Sequence, residues 1–293
     1  MILPFPSYLA RTMPELPEVE TMCRGIACFR GEIIENTCFP RHTRRPSPIQ
    51  PRPKTMAAKL QHACILDVTR LGKRAVMRVR QNEHQMDSFL VFEPRMTGLL
   101  LRVSPPTHQH VRLIVTTAKK QPLIFWDRRG LGTITLFDKS TFESRFGSHA
   151  LGPDALTITG LALHAKLCSS RRHIKVALLD QKILAGVGNI YASEILYEAK
   201  VDPRTKCHRL SRASYDRLAT ACSRILHHAI KLEGSSIGDE TYRTADNRPG
   251  RYQRLHKVYG RSKNECFQCK TTIQRIIQSQ RSTFFCPACQ QRY

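Results

Sequence analysis

The sequence is poor in several things, and each shortage removes a class of protein. No apolar run approaches ~18 residues, so no segment reads as a membrane span. Cysteine does not form a closed set: there are 11, an odd number, and Cys23, Cys64 and Cys222 stand singly inside apolar segments. That is reduced, intracellular usage and not a disulfide framework. Internal repeats are absent. Residues 1–12, "MILPFPSYLART", lack the form of a signal peptide: the apolar part is too short, it holds two prolines, and the basic residue lies on the wrong side. Acid is scarce as well. Lys and Arg number 47 against 23 Asp and Glu, a formal net charge of +24. Hydrophobic residues make up 41%, so this surplus belongs to a chain with a core. It points to a polyanionic partner, nucleic acid first, although charge alone equally suits an anionic membrane or a ribosome.

The 293 residues are enough for two ordinary domains. Val19, Met22, Cys23, Ile26 and Phe29 share one face of a helix over 17–30, with Glu15, Glu18 and Glu20 at the end that favours acids. From 31 to about 137 the text is strand-like, in "RAVMRVR", "SFLVFEPRM", "VRLIVTT", "PLIFWD" and "GTITLFD". Short branched and aromatic runs between polar turns predict an antiparallel sandwich or flattened barrel. Residues 40–58 read as a mobile Pro/Arg-rich loop. After about 140 helices follow. Two of them, 174–184 and 190–199, flank "AGVGN", and a third spans 211–233 with Ser211 as N-cap and Gly234 as its end. Residues 235–254 read as a flexible basic loop.

Cys266, Cys269, Cys286 and Cys289 form two C-x-x-C knuckles sixteen residues apart, at the ends of a hairpin. Four thiolates close a tetrahedral Zn²⁺ site with no position left for water, so the ion's role is structural. The hairpin tip carries Arg281, and residues 241–293 hold 11 Lys or Arg against Asp246 and Glu265 alone. A rigid basic tip suits a groove or phosphate probe. In "LAGVGNIYASE" the two glycines permit a tight turn and close approach, and Asn189 is placed to cap the next helix. Such a turn can present N–H groups to a phosphate, or simply join two helices.

"MPELPEVET", "GVGNIYASE", the four-cysteine hairpin with "QRSTFFC" and its terminal position together resemble formamidopyrimidine-DNA glycosylase, over essentially all of 13–293. The resemblance implies an α+β, multidomain fold: an N-terminal helix on an antiparallel β-sandwich (13–145), a helical helix–two-turn–helix domain (146–262) and a zinc hairpin (263–293), with residues 1–12 as an extension. DNA would lie between the domains. Pro14 would be the nucleophile. An α-amine titrates near ~8, against ~10.4 for lysine, so more of it is neutral at pH 7. Glu15 would be the acid/base, supported by Glu18, with Lys73 in β-elimination and Arg281 at phosphate and in δ-elimination. His108, His110, Lys175 and Asn189 match residues near the DNA backbone, His108 being the better candidate of the histidine pair. Met96, Arg129 and Leu131 match the three that fill the gap left by an extruded base, with Leu131 where the family usually has phenylalanine. At 169–171 "SSR" stands where the family has a basic cluster, leaving Arg171. Residues 236–250 are slightly longer than the usual loop over the flipped base.

The activity implied is that of a bifunctional glycosylase/AP lyase on oxidised purines in double-stranded DNA. The protein would carry one structural zinc and work as a cytoplasmic, nucleoid-associated bacterial monomer with no membrane partner. Two alternatives stay open. One is an endonuclease VIII-like enzyme for oxidised pyrimidines, against which "PELPEVE" argues, since that class usually has "PEGPE". The other is a non-catalytic damage-binding protein, if residues 1–12 stay attached and Pro14 has no free amine. Residues 1–12 are therefore expected to be an over-extended start or a processed leader.

Overall fold

Leucine and valine on the first helix face two different cores, and that division sets the architecture. The computed structural model describes residues 13–41, 47–82, 86–147, 149–238 and 241–293; the extension 1–12 lies outside the described residues. The chain runs α1 (Leu16–Gly25), β1 (Ile34–Cys38), β2 (Ile49–Gln50), α2 (Pro53–Leu60), β3 (Cys64–Leu71), β4 (Arg74–Arg80), β5 (Ser88–Glu93), β6 (Gly98–Leu101), β7 (Val111–Thr117), β8 (Pro122–Asp127) and β9 (Thr133–Asp138). It continues through α3 (Lys139–Phe146), α4 (Gly160–Leu167), α5 (Ile174–Leu178), α6 (Asn189–Glu198), α7 (Arg212–Lys231), β10 (Gln274–Gln278) and β11 (Arg281–Phe285). A four-stranded sheet ordered β1-β7-β8-β6 and a five-stranded sheet ordered β2-β9-β5-β4-β3 make the sandwich. Val19, Met22, Cys23 and Ile26 of the α1 region join that core, with Phe92, Leu100, Phe125 and Trp126. Leu16 belongs to the other core, with Leu178, Val187, Tyr191, Leu218 and Phe284. One turn of helix thus has its apolar side chains split between the two halves, and burying each contributes roughly 1.5–3 kcal/mol.

Several sequence expectations need correction. The segment 40–58 is not a loop throughout. β2 pairs parallel with β9, an exception to the antiparallel rule of the sandwich, and α2 starts with Pro53 at N1 and buries Met56 and Leu60 on one face. Residues 42–46 lie outside the described residues. The helix expected over 174–184 stops at Leu178. Gln181 takes over there: its amide donates to Leu179 O and Val187 O and accepts from Gly186 N, while Asp180 accepts from Lys182 N. These side-chain bonds compete with the helical ladder. Helix α1 ends at Gly25, where a Cβ would lie 2.4 Å from that of Ala245. α7 behaves as expected: Ser211 accepts from Ser214 N, and Gly234 at φ +78° closes its C-terminal end.

The segment 235–254 is tied down wherever it is described. Tyr242 donates to Glu233 O, Arg102 N donates to Ala245 O, Arg102 pairs with Asp246, and Asn247 donates to Ser104 O. It straps the end of α7 to the sandwich.

Gly186 sits at φ +103°, with Leu16 Cδ1 2.4 Å from where a Cβ would stand. Gly186→Ala should therefore destabilise by about 2 kcal/mol or more through strain and overpacking. Thermal or urea unfolding reads this directly. An unchanged midpoint would show that the close seat of α1 is unimportant.

Candidate active site and nucleic-acid interface

Pro14 is buried where the start of α1 meets α6. The next residue makes the junction. Glu15 Oε2 accepts from Gly188 N at 2.7 Å and Tyr191 N at 3.3 Å, and Oε1 accepts from Ile190 N at 2.8 Å. An acid from one half of the molecule thus satisfies the orphan donors of a helix in the other. Asn189, expected as the cap, is the first residue of α6, and Gly188 holds the N-cap position without a side chain. The glycine is required: a Cβ there would stand 2.3 Å from Glu15 Cδ. The backbone is locked too, with Leu16 N donating to Gly186 O at 3.0 Å.

Around this seat the predicted residues gather. Lys73 lies in the two-residue turn between Leu71 and Arg74. Gly72 in that turn has its Cβ position 3.5 Å from Ala185 Cβ, so the hairpin tip abuts the "AGVGN" turn. Burial lowers the Lys73 ammonium pKa; Glu15 opposes that and Arg281 adds to it. Burial raises the Glu15 pKa, held back by Lys73 and by the three amides. Lys175 is buried and donates to Asn189 Oδ1 (2.7 Å), Ser282 O (3.1 Å) and Thr283 Oγ1 (2.7 Å). Burial pushes it down to about 7, against the pull of Glu15. Asn189 also donates to Ser282 O, so both residues fasten the zinc hairpin to α6. Arg281 is exposed, the first residue of β11 after the turn at Ser279 and Gln280.

Glu18 lies behind Glu15. Its carboxyl accepts from Glu15 N, from Tyr191 Oη at 2.6 Å and from Ser235 N at 2.8 Å. Burial, then the charge of Glu15, raises it to about 7. Ser235 also contacts Tyr191 Oη and His256 Nε2, and burial depresses His256 to about 4, keeping it neutral. The roles of Tyr191, Ser235 and His256 were not foreseen, and no sequence spacing signals them.

The second cluster is at the sandwich tips. Arg129 Nη1 donates to Met96 Sδ at 3.1 Å, so these two predicted residues are neighbours; Leu131 is half-buried on the same loop. Asp127, which sequence reasoning missed, organises this loop. Its carboxylate accepts from Gly132 N (2.7 Å), Arg129 N (3.1 Å) and the Thr97 hydroxyl, linking the Met96 turn to the Arg129 loop. An aspartate ending an apolar strand before "RRGLG" was the available signal. His108 is exposed, whereas His110 is buried edge-on against Trp126, centroids 5.5 Å apart. Arg171 is exposed.

The four cysteine sulfurs lie within 4.8 Å of one another. Cys266 and Cys289 are 3.8 Å apart, Cys269 and Cys286 3.4 Å. A tetrahedron with bonds of ~2.3 Å has edges of roughly 3.8 Å, so the cluster fits one Zn²⁺. Tyr197 Oη lies 3.2 Å from Cys266 Sγ as a supporting contact. Among the described residues no helix is long and apolar enough to cross a membrane.

Three family profiles match in chain order: the formamidopyrimidine-DNA glycosylase N-terminal domain over 13–134, the H2TH domain of the same enzymes over 151–241, and the zinc finger found in FPG and IleRS over 264–292. Formamidopyrimidine-DNA glycosylase of Chloroflexus aurantiacus is 35% identical over 281 residues, covering 95% of this chain and 98% of that one. The Solibacter usitatus enzyme is 36% identical, covering 96% and 100%. The crystal structure of MutM (Fpg) from Thermus thermophilus superposes with a TM-score of 0.81 at 31% identity over 96% of this chain and 100% of that one. Lactococcus lactis Fpg bound to abasic-site DNA gives 0.82 at 31% identity, over 95% and 100%. Fold, junction and zinc knuckle define a DNA glycosylase of base-excision repair. The chain belongs to the formamidopyrimidine-DNA glycosylase family.

Two outcomes are expected. The ordinary glutamate pKa of 4.5 becomes about 7 for Glu18, so the folded state holds the extra proton between those values. The stability this gives is complete below pH ~4.5 and is lost as pH rises through about 7. Glu18→Gln mimics the protonated form and should gain about 2 kcal/mol on the wild type between pH 5 and 8; a constant difference would refute the shift. Chelating the zinc should unfold the hairpin and remove DNA binding, while circular dichroism retains most of the helix signal. Full binding by zinc-free protein would show the metal to be dispensable.

Proposed function

We propose that the protein is a bifunctional DNA glycosylase/AP lyase that removes oxidised purines, such as 8-oxoguanine and formamidopyrimidines, from double-stranded DNA. The observation that carries this reading is the seat of Pro14 and Glu15 on the α6 N-terminus, with Lys73, Lys175 and Arg281 gathered around it. In this reading the Pro14 nitrogen, freed by removal of Met13, attacks C1′ of the damaged nucleotide, and the base leaves. The secondary amine then forms a Schiff base with the opened sugar. Glu15 supplies and takes protons. Three of its roughly four lone-pair sites are occupied by backbone N–H groups, which leaves one on Oε1 for proton transfer. Lys73, with its pKa lowered, assists β-elimination, and Arg281 holds phosphate and assists δ-elimination. The cation surplus supplies the non-specific grip on the backbone.

Met96, Arg129 and Leu131 occupy the gap left by the extruded base, with Arg129 facing the widowed cytosine. A leucine stacks less well than an aromatic ring, so opposite-base discrimination rests more on Arg129. His108 and Asn189 add contacts near the DNA backbone, Asn189 through its fixed place beside Lys175. His110 supports this surface from beneath, through Trp126. The chain acts as a monomer in the bacterial cytoplasm.

The test is borohydride trapping on duplex carrying 8-oxoguanine opposite cytosine. Protein that starts at Pro14 should be cross-linked, and protein that keeps residues 1–13 should not, because an amide nitrogen cannot form a Schiff base. Failure of the Pro14-starting protein to cross-link would overturn the lyase reading. Binding without cross-linking would leave a damage-binding protein.

A further inference from the structure

The turn between β5 and β6 carries a cation that none of the roles above uses. Arg95 stands between Pro94 and Met96, in a turn closed by Gly98 N donating to Pro94 O at 2.8 Å. Its Nη2 lies 2.9 Å from Glu93 Oε2, and the other oxygen of that carboxylate takes Arg74 Nε. One acid therefore serves two guanidinium groups, and the trio keeps one positive charge. Arg74 is largely covered, with its side chain 23% exposed and its guanidinium over the Phe146 ring. Arg95 is 53% exposed. A guanidinium has five N–H donors in a planar fork suited to phosphate, and Glu93 takes only part of that fork.

Arg95 lines a groove of about 550 Å³ whose polar lining includes Gln50, Thr133, Thr135 and Arg145, beside Glu93 and apolar residues such as Ile49 and Phe137. Next to it in the chain is Met96, whose sulfur meets Arg129. A side chain that enters a duplex brings the flanking backbone against the residues next to it.

We propose that Arg95 is a phosphate contact for the DNA strand beside Met96, pre-oriented by the Glu93 carboxylate it shares with Arg74. The contact rests on the functional reading above and adds a binding residue to it. Glu93 fixes the guanidinium before DNA arrives, so less side-chain freedom is lost on binding. Phosphate contacts of this kind set position and carry no sequence information, so Arg95 would anchor the turn that aims Met96.

The backbone supplies a clean test. Arg95 has φ +53°, and nine other non-glycine residues among the described ones also have positive φ, so the conformation alone argues no role. It does mean that Arg95→Gly fits this turn at least as well as arginine. That variant should keep or raise the thermal midpoint. Its affinity for duplex with an abasic-site analogue should fall about 5- to 10-fold at moderate salt. The slope of log K against log salt should lose roughly 0.9, the value of one phosphate contact. Arg95→Gln should show the same loss, and Arg95→Lys should restore the slope. Wild-type slope and affinity in both Arg95→Gly and Arg95→Gln would overturn the contact. A wild-type protein that neither traps under borohydride nor binds with salt dependence would overturn the functional reading, and the contact with it.

Discussion

The rest of the structure depends on one carboxylate. Glu15 closes the N-terminus of α6 with bonds to Gly188, Ile190 and Tyr191, and in doing so fixes the residue before it, Pro14, at the junction of the two halves. Each amide left unsatisfied in a buried place costs about 1–3 kcal/mol, so this seat is strongly determined. The glycines of "AGVGN" follow from it. Gly188 leaves room for the Glu15 carboxyl and Gly186 for Leu16. The partner whose close approach those glycines permit is therefore the start of α1. A second tether runs beside it: Arg70, nearly covered, joins Glu20 of α1 to Asp154 of the connecting segment and bonds Gly72 O at the Lys73 turn. Helix α1 and the Lys73 hairpin are thus held to the same point.

Burial then tunes what the seat brings together. Two acids and two amines share a poorly hydrated region, and each charged form loses water there. The acids shift up and the amines down, so both kinds move toward neutral pH. For proton transfer, groups shifted in these directions are better suited than ordinary carboxylates and amines. Glu15 limits the process, since its charge holds up Lys73 and Lys175, while the amides of α6 hold its own shift in check.

Much of this was legible in the sequence, and the limits have physical causes. Strands with alternating or continuous apolar text appeared where expected, as with β4 over "RAVMRVR" and β7 over "VRLIVTT". The amphipathic α7 and the cysteine knuckles were equally plain, because periodicity and ligand spacing are local. What failed was non-local. The cap of α6 comes from Glu15, 173 residues from Gly188, and no local rule finds it. The loop 235–254 reads as polar and free, yet Tyr242 and Ala245 pack into the sandwich core. Asp127 was overlooked because its partners, Thr97 and Gly132, lie on different turns. Lys73 was proposed only through its motif, since a turn lysine has no periodicity to mark it.

The zinc hairpin shows how a distant structural element enters the site. Its cysteines lie at the base, away from Pro14, and the metal has no open position for chemistry. Its tip nevertheless supplies Ser282 O, which accepts from both Lys175 and Asn189, and Thr283 Oγ1, which accepts from Lys175. Lys175 needs these acceptors: a buried ammonium with three donors is costly unless each is satisfied. The base of the hairpin is secured by Gln290 Nε2 donating to Val201 O and Gln291 N to Lys200 O, just past the end of α6. So α6 is gripped at its first turn by Glu15 and the hairpin tip, and beyond its last by the hairpin base. The ion that orders the cysteines therefore helps to keep Lys175 placed, and through α6 it bears on the seat of Pro14 itself.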